Sequence, residues 1–374
     1  MAGKKILFHI NSLGKGGAER VVSVLSGYFA EEGYEVAVAT LWQAEEEYKL
    51  SHKVRRVHAG LTETDEKKGR VYRAVKRVLN FRSVLKKENP DIVISFCNKA
   101  NFRSAYCMAG MKTPLLVSVR NDPKKDYAPY KRAVQRMEKR AAGCVFQTPE
   151  AQQFFSPAFQ KKSRIIFNPL SENYISKETT ETDFVREKRI VTVGRIAKQK
   201  NQLLLVKAFA QIAEKYPDMI VQIYGEDGKD GSKEALEQYI QQNGLQERVL
   251  FMGQCSHSER EIKKAALFVL PSDYEGMPNA LIEAMALGLP SISTDCPCGG
   301  SRLLVEENVS GMLVPVGDAE KLAEAMNRML SNPQKAEEIG RNARKVVDKV
   351  HPEKVCGEWK EYVEELLGAN SSER

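Results

Sequence analysis

The sequence predicts an α/β protein built from two Rossmann-like, doubly wound domains. The chain has 374 residues, which exceeds the size at which a single hydrophobic core usually keeps growing. Short apolar, β-branched runs alternate with longer amphipathic stretches, a pattern typical of parallel strands joined by helical crossovers. A polar stretch without apolar periodicity, residues 171–188, separates two such series and has the composition of an interdomain linker.

The strands are predicted where apolar and β-branched residues run together. In the first series these runs are residues 5–10, 35–41, 91–96, 115–119 and 144–147. In the second series they are residues 189–194, 219–225, 249–253, 267–270, 290–293 and 311–314. Each series therefore predicts a parallel sheet covered by helices.

The domain boundaries follow from the polar stretch and from the last helix. We expect residues 1–170 to form the first domain and residues 171–352 to form the second. A final amphipathic helix over residues 353–367 should cross back, so that residues 353–374 pack on the first domain. The apolar face of this helix consists of Trp359, Val363, Leu366 and Leu367. Ligands bind beyond the carboxyl ends of strands in open α/β sheets, so we expect the active site in a cleft between the domains.

Composition excludes several classes of protein. The chain is 42% hydrophobic and 28% charged, which is typical of a folded globular protein rather than a disordered or fibrous one. The apolar run at the N-terminus is too short for a signal peptide, and no apolar stretch reaches the roughly 18 residues of a membrane span. We therefore expect a cytoplasmic protein whose contact with a membrane is peripheral, at the inner face.

The seven cysteines form an odd and scattered set, which indicates reduced thiols packed in the interior. Cys296 and Cys298 are separated by one proline, but no second Cys or His pair follows at zinc spacing. The histidines show no pairing at metal or triad spacing either. We expect no metal site.

Positive charge is concentrated in the first half of the chain. Up to residue 175 there are 31 Lys+Arg against 17 Asp+Glu, a net +14, and the remainder has 26 against 32, a net −6. The first domain is therefore expected to face nucleic acid, an anionic membrane or a phosphorylated lipid, with a solvated helix surface as the alternative. Residues 67–87 and 124–140 carry Lys and Arg among apolar residues at helical spacing, which favours a bilayer or polyprenyl-diphosphate partner. No base-reading motif is present, so we expect no nucleic-acid partner.

Residues 271–290 carry the strongest motif, which reads as strand end, glycine turn, helix and strand. Glu275 lies just before the predicted helix and Glu283 lies inside it. The helix start, which would offer backbone N–H groups to an anion or hydroxyl, consists of Gly276, Met277, Pro278 and Asn279. Pro278 suits the first helical turn and Gly288 suits the C-terminal cap. Two carboxylates so placed could hold separate hydroxyl-bearing rings of one ligand, as in a nucleotide sugar; the alternative is a surface glutamate and a helix-dipole partner.

Two cations follow the first strand of the second domain. Arg195 offers a planar fork of donors and Lys200 a compact charge, and together they can neutralise a diphosphate as it leaves. A helix predicted to begin near Asn201 would add N-terminal amides. The alternative is a pair of solvated cations at a strand end.

A glycine-rich loop follows the first strand of the first domain. Gly14, Gly16 and Gly17 would let the backbone approach a ligand closely. Their spacing fits neither the dinucleotide fingerprint nor the P-loop, which disfavours a dehydrogenase or an NTPase. A bare tight turn is the alternative.

Glu275 and Glu283, with seven residues between them, resemble the paired glutamates of glycosyltransferase family 4, whose fold is called GT-B. Residues 193–201 resemble the basic diphosphate-binding segment of that family, and residues 11–20 resemble its glycine-rich first loop. The similarity runs across nearly the whole chain. It implies an acceptor-binding first domain and a donor-binding second domain.

The resemblance implies a retaining transfer of a hexose or N-acetylhexosamine from a nucleotide-diphosphate sugar, with UDP as the expected nucleotide. The acceptor is expected to be a glycan or a lipid-linked glycan of bacterial polysaccharide assembly, and no metal or other cofactor is expected. Arg195 and Lys200 would stabilise the leaving diphosphate, while Glu275 would hold the donor hexose and Glu283 the ribose. Gly16 and Gly17 would contact the donor. The alternatives are a GDP-mannose-dependent mannosyltransferase and a nucleotide-sugar-binding protein without turnover.

One position departs from the family pattern. Relatives carry a histidine near the end of the predicted strand 115–119, where this chain has Asn121, so no histidine role is carried over. We expect Asn121 to contact a sugar hydroxyl and Arg120 or Asp122 to meet the acceptor, with a plain turn as the alternative. His9, at the carboxyl end of the first strand, is a further candidate.

Overall fold

The structure is a computed structural model that describes residues 3–175, 185–255 and 257–372. The chain divides into two compact units: Met1–Pro169 with Glu353–Arg374, and Leu170–Pro352. The predicted linker begins and ends in described residues, but residues 176–184 at its centre lie outside them. Among the residues described, no helix has both the length and the apolar character to cross a membrane.

The first unit contains a parallel sheet in the order β3-β2-β1-β4-β5-β6-β7. Its strands are β1 (Lys5–His9), β2 (Glu35–Thr40), β3 (Arg55–His58), β4 (Ile92–Phe96), β5 (Leu115–Ser118), β6 (Gly143–Phe146) and β7 (Ser163–Ile165). Its helices are α1 (Gly17–Glu31), α2 (Glu63–Glu66), α3 (Arg70–Glu88), α4 (Asn98–Cys107), α5 (Pro123–Asp126), α6 (Lys131–Arg140), α7 (Pro149–Gln153) and α8 (Pro157–Gln160).

The second unit contains a parallel sheet in the order β10-β9-β8-β11-β12-β13. Its strands are β8 (Glu187–Val193), β9 (Ile220–Tyr224), β10 (Val249–Gly253), β11 (Ala265–Leu270), β12 (Ser291–Thr294) and β13 (Met312–Val314). Its helices are α9 (Gln202–Ile212), α10 (Ser232–Gln242), α11 (Ser258–Ile262), α12 (Asn279–Ala286), α13 (Gly300–Leu304), α14 (Ala319–Ser331), α15 (Pro333–Ala343) and α16 (Val346–Val350).

The interior strands β4, β5 and β12 are buried along their whole length because helices cover both faces of each sheet, although β12 reads Ser-Ile-Ser-Thr. Every residue of β4 and β5 is buried, as is every residue of β12. These are the runs that the sequence predicts, and the two doubly wound α/β units confirm the predicted fold class.

The sequence missed two edge strands, β3 and β7. β3 reads Arg-Arg-Val-His and is mostly exposed, and β7 has only three residues. Each pairs with a single neighbour, so one side of each strand faces away from the sheet. Short and polar edge strands are normal because they discourage edge-to-edge association, and for the same reason they lack the apolar signal.

The last helix, α17 (Pro352–Ser372), packs into the core of the first unit. Trp359 is fully buried and stacks on Phe96 of β4 with ring centroids 5.6 Å apart. Tyr362 accepts a hydrogen bond from the Cys144 amide and donates one to the carbonyl of Lys162. The helix runs beyond the predicted residue 367, but the apolar face is the predicted one.

Candidate functional site

The strand order of the second sheet defines its ligand-binding edge. The order reverses between β8 and β11, and in open α/β sheets the loops that leave such neighbours enclose a crevice. Lys200 follows β8 and Glu275 follows β11. The structure brings them together: Lys200 Nζ lies 2.5 Å from Glu275 Oε1. The strongest sequence motif and the basic segment thus meet at the topological switch point.

Glu275 is held by more than this ion pair. Glu275 is 6% exposed, and the Ser272 hydroxyl donates to the same Oε1 atom at 2.7 Å. The Cys296 thiol donates to the backbone carbonyl of the same Ser272 at 3.3 Å. Burial raises the pKa of Cys296 to about 12, and the nearby Glu275 carboxylate acts in the same direction. The thiol therefore stays protonated and remains a hydrogen-bond donor to the carbonyl of Ser272.

The two loops are also tied to each other. The Asn201 side-chain amide donates to Asp273 at 2.7 Å, and the Asp273 amide donates to the carbonyl of Gln199 at 2.9 Å. The Lys200 side chain runs past Gly194, where a Cβ atom would lie 3.4 Å from Lys200 Cε. Arg195, next to Gly194, is exposed. The loop after β8 therefore carries one cation fixed by an ion pair, Lys200, and two exposed cations, Arg195 and Lys198.

The helix that follows Glu275 begins one residue later than predicted. Pro278 immediately precedes α12, whose first residue is Asn279, so Pro278 lies at the N-cap rather than in the first turn. Gly276, Met277 and Pro278 are buried. At the other end, Gly288 has φ +73° and its amide donates to the carbonyl of Met285. This left-handed cap is the one that the sequence predicts.

Glu283 lies on α12, is 5% exposed and accepts a hydrogen bond from Tyr174. The Tyr174 hydroxyl donates to Glu283 Oε2 at 3.0 Å, and Tyr174 is itself 5% exposed. Tyr174 belongs to the segment that enters the second unit, just before residue 176. The alternative of a solvated surface glutamate is therefore wrong for Glu283.

In the first unit the strand order reverses between β1 and β4. The glycine-rich loop follows β1: Gly16 immediately precedes α1 and Gly17 is its first residue. A Cβ atom at Gly16 would lie 2.2 Å from Glu19 Oε2, so the loop and the first turn of α1 are in close contact. Across the switch point, Arg103 of α4 donates to Asn11 Oδ1 at 3.0 Å.

His9 lies at the end of β1 and is fully buried. Its Nδ1 is 2.8 Å from the Ser104 hydroxyl, and its ring stacks on Phe81 with centroids 4.0 Å apart. Burial, together with the charge of Arg103, holds the pKa of His9 well below its ordinary value. The imidazole is therefore neutral and packed in the interior.

Arg120 and Asn121 follow β5 and have partners within the unit. Arg120 donates to Asn168 and lies over the Phe96 ring, and burial lowers its pKa to about 10. The Asn121 side chain hydrogen-bonds Asp126. Asp122 caps α5 by accepting from the Lys124 amide at 2.9 Å. The turn predicted as the alternative is present, and contacts of these residues with substrate remain a prediction.

The sequence did not assign roles to Tyr174, Ser272 or Arg103. Ser272 lies in the motif of residues 271–290, three residues before Glu275. A hydroxyl at that spacing after a strand could have been predicted to hydrogen-bond the glutamate. Tyr174 lies in a polar segment without periodicity, 109 positions from its partner Glu283, so no local sequence pattern predicts their contact. Arg103 is one of many cations in the first half of the chain.

Solved structures resemble this chain over nearly its whole length. The Anabaena protein Alr3699/HepE in complex with UDP-glucose superposes with a TM-score of 0.82 at 19% identity, covering 96% of this chain and 99% of that protein. At this identity the likeness establishes the fold. The chain therefore has the GT-B fold of glycosyltransferases, with two Rossmann-like units.

Sequence relatives and family models agree with the fold. The GalNAc-α-(1→4)-GalNAc-α-(1→3)-diNAcBac-PP-undecaprenol α-1,4-N-acetyl-D-galactosaminyltransferase of Campylobacter jejuni is 24% identical over 365 residues, covering 98% of this chain and 99% of that protein. A second enzyme of that organism, N-acetylgalactosamine-N,N′-diacetylbacillosaminyl-diphospho-undecaprenol 4-α-N-acetylgalactosaminyltransferase, is 30% identical over 172 residues, covering 46% of this chain and 45% of that protein.

The model described as Glycosyltransferase Family 4 matches residues 15–171, and the model described as Glycosyl transferases group 1 matches residues 177–346. The chain belongs to the family 4 type of GT-B glycosyltransferases. This confirms the resemblance inferred from the three motifs.

Proposed function

We propose that this glycosyltransferase retains anomeric configuration and transfers a hexose or N-acetylhexosamine from a UDP-sugar to a lipid-linked glycan. The observation that carries the proposal is the Lys200–Glu275 pair at the switch point of the second unit, with Glu283 buried on the next helix. UDP is favoured because the similar Anabaena protein was solved with UDP-glucose. A lipid-linked acceptor is favoured because both Campylobacter relatives are named for undecaprenol-linked acceptors.

The proposed chemistry is electrostatic. As the bond to the anomeric carbon breaks, negative charge grows on the diphosphate, and donors that are already in place stabilise that charge more than the ground state. Lys200 is held in place by Glu275, but the ion pair has no net charge. The exposed Arg195 and Lys198 therefore supply the net positive charge of this loop, and Arg195 is the one proposed to meet the diphosphate, while Lys200 supplies a fixed hydrogen-bond donor.

The carboxylates of Glu275 and Glu283 are proposed to accept hydrogen bonds from hydroxyl groups of the donor. Glu275 keeps one oxygen on Lys200 and Ser272, which fixes its plane, and we assign it the 3- or 4-hydroxyl of the donor hexose. Glu283, oriented by Tyr174, is assigned the ribose hydroxyls. The acceptor hydroxyl then attacks the anomeric carbon from the face that the diphosphate leaves, through an oxocarbenium-like state, and its proton passes to the departing diphosphate oxygen. The backbone at Gly276–Asn279 and the loop at Gly16 and Gly17 are further proposed donor contacts.

No divalent ion is needed in this scheme because Arg195 and Lys200 supply the cationic groups that a metal would otherwise provide. We expect the transfer rate in EDTA to stay within twofold of that in buffer. A loss of activity that Mg²⁺ or Mn²⁺ restores would refute metal independence.

Because the proposed acceptor is embedded in a bilayer, the enzyme is proposed to work at the cytoplasmic face of a membrane. The positive charge of the first half of the chain supports an anionic partner there. The first unit is assigned to the acceptor and the second to the donor.

The donor is tested by screening UDP- and GDP-sugars for thermal stabilisation. A ligand at 100 times its Kd adds about 2.7 kcal/mol to the free energy of unfolding, which is readily measured. The best donor is then incubated with an undecaprenyl-diphosphate-linked glycan, and the product anomer is assigned by NMR. Preference for GDP-mannose would overturn the UDP assignment, an inverted anomer would overturn retention, and donor binding without turnover would favour the nucleotide-sugar-binding alternative.

A further inference from the structure

Helix α3 has an unusual distribution of apolar residues. Its C-terminal half packs into the first unit through Phe81, Val84 and Leu85. Its N-terminal half, residues 70–80, contains no buried side chain although half of its residues are apolar. The large exposed side chains and their exposed fractions are Val71 77%, Tyr72 45%, Val75 53% and Leu79 56%. Four large apolar side chains on about two turns of one helix form a contiguous exposed patch, and such patches often mark an interaction site.

The helix that carries this patch is strongly basic, and the acidic groups beside the patch come from α2, where Asp65 accepts a hydrogen bond from the Tyr72 hydroxyl. Helix α3 contains one acidic residue, Glu88, and seven cations: Arg70, Arg73, Lys76, Arg77, Arg82, Lys86 and Lys87. An apolar stripe flanked by Lys and Arg matches a bilayer with anionic headgroups, since the stripe enters the acyl boundary while the cations stay at the headgroups. An acidic protein surface or an RNA would match the cations but would leave the valines and the leucine without a partner.

The patch lies at the functional edge of the first sheet. In a right-handed crossover from β3 to β4, α3 runs antiparallel to the strands, so its first turns lie near their carboxyl ends. Trp42, which is 50% exposed, follows β2 at the same edge. Tryptophan is enriched at membrane interfaces. The basic helix α6 differs, since none of its own residues is a large exposed hydrophobic.

We infer that the N-terminal half of α3 is the surface that docks this glycosyltransferase on an anionic bilayer, with Val71, Val75 and Leu79 entering the lipid. The inference rests on the proposed function, which requires a membrane-embedded acceptor, and it names the surface that reaches it. Helix α6 is a solvated basic face.

An acidic side chain of the protein competes with lipid headgroups for the cations of this surface. Glu66 of α2 forms ion pairs with Arg73 at 3.3 Å and with Arg77 at 3.1 Å. Its carboxylate therefore occupies two of the cations that would otherwise bind headgroups. Removing the negative charge of Glu66 should strengthen binding to the bilayer. If α3 had only a structural role, removing that charge would not strengthen binding.

The test measures the partition of the full chain onto vesicles of phosphatidylcholine alone and of phosphatidylcholine with 30% phosphatidylglycerol. The triple variant Val71→Ser, Val75→Ser, Leu79→Ser should bind the anionic vesicles at least tenfold more weakly than the wild type. Lys76→Gln should cost about fivefold, the effect of one cation near an anionic surface. Glu66→Gln should bind severalfold more tightly. The matched controls are Tyr130→Ser, just before α6, and Lys131→Gln, at its first residue, and each should change binding less than twofold.

Donor binding separates this inference from the proposed function. All five variants should keep the wild-type thermal shift with UDP, because none of the changes lies in the second unit. Loss of binding only in the α6 controls, or wild-type binding by the triple variant, would overturn the docking surface while leaving the donor site intact. If the wild type binds a single-stranded RNA but not the vesicles, the bilayer-docking surface is refuted and a nucleic-acid partner is favoured. A wild type that binds no nucleotide would instead refute the proposed function.

Discussion

The Tyr174 hydroxyl should set the affinity of the donor site through Glu283. Tyr174→Phe removes one oxygen and keeps the ring, so the packing of the buried side chain is preserved. What is lost is the hydrogen bond of 3.0 Å to Glu283 Oε2. Without it, the carboxylate can rotate away from the orientation in which it is proposed to accept from the ribose hydroxyls.

The size of the effect follows from the partners. A hydrogen bond to a charged group contributes about 1.5–3 kcal/mol, and both partners here are about 5% exposed, so water replaces the hydroxyl poorly. This energy sets the upper limit on what reorienting the carboxylate costs when the donor binds. Since 1.4 kcal/mol is a factor of ten, the Kd for UDP should rise by up to roughly 10- to 100-fold. The turnover number at saturating donor should change little, because the interaction holds the nucleotide and not the breaking bond.

The assay is calorimetric titration of the wild type and Tyr174→Phe with UDP and with 2′-deoxy-UDP and 3′-deoxy-UDP. If Tyr174 orients the carboxylate, the variant should lose most of the wild-type preference for the ribose hydroxyls. Tyr216→Phe is the matched control, because that hydroxyl contacts Asn327 at the opposite edge of the same sheet. Equal weakening of all three nucleotides by Tyr174→Phe, or none, would refute the reasoning.

Three further predictions concern catalysis and stability. Arg195→Ala and Lys200→Ala should each lower the transfer rate on the order of 10²- to 10³-fold while the circular dichroism spectrum is kept, and activity within tenfold of wild type would remove them from the mechanism. Trp359→Ala should lower the free energy of unfolding by about 3–5 kcal/mol in urea titrations, because it empties a fully buried site; a loss below about 1 kcal/mol would contradict the packing. The lowered pKa of His9 means that the unfolded chain binds a proton there before the folded one does, so stability due to His9 is complete above the unfolded pKa of about 6.5 and is lost below it, at no more than about 1.4 kcal/mol per pH unit. His9→Gln should flatten that slope between pH 7 and 5 and the exposed His52→Gln should not, so identical slopes in both would show that His9 is not the group responsible.

Local patterns in the sequence identified most of the regular structure. The apolar runs predicted most of the interior strands because a parallel strand covered on both faces is usually rich in apolar residues. Gly288 marked the end of α12 because a left-handed residue is needed there. The polar edge strands β3 and β7 could not be found in this way, since an edge strand buries too little to need an apolar run.

The sequence also identified the chemical groups of the site but could not show their contacts. Glu275 and Lys200 are 75 positions apart, and they meet because β11 pairs with β8, a consequence of strand order that no local pattern encodes. Tyr174 acquires its role from the same long-range arrangement. The periodicity of the sequence predicted that α3 is an amphipathic helix, but only the tertiary structure showed that part of its apolar surface is exposed. Composition and periodicity act over a few residues, whereas pairing, burial and exposure depend on which distant segments pack together.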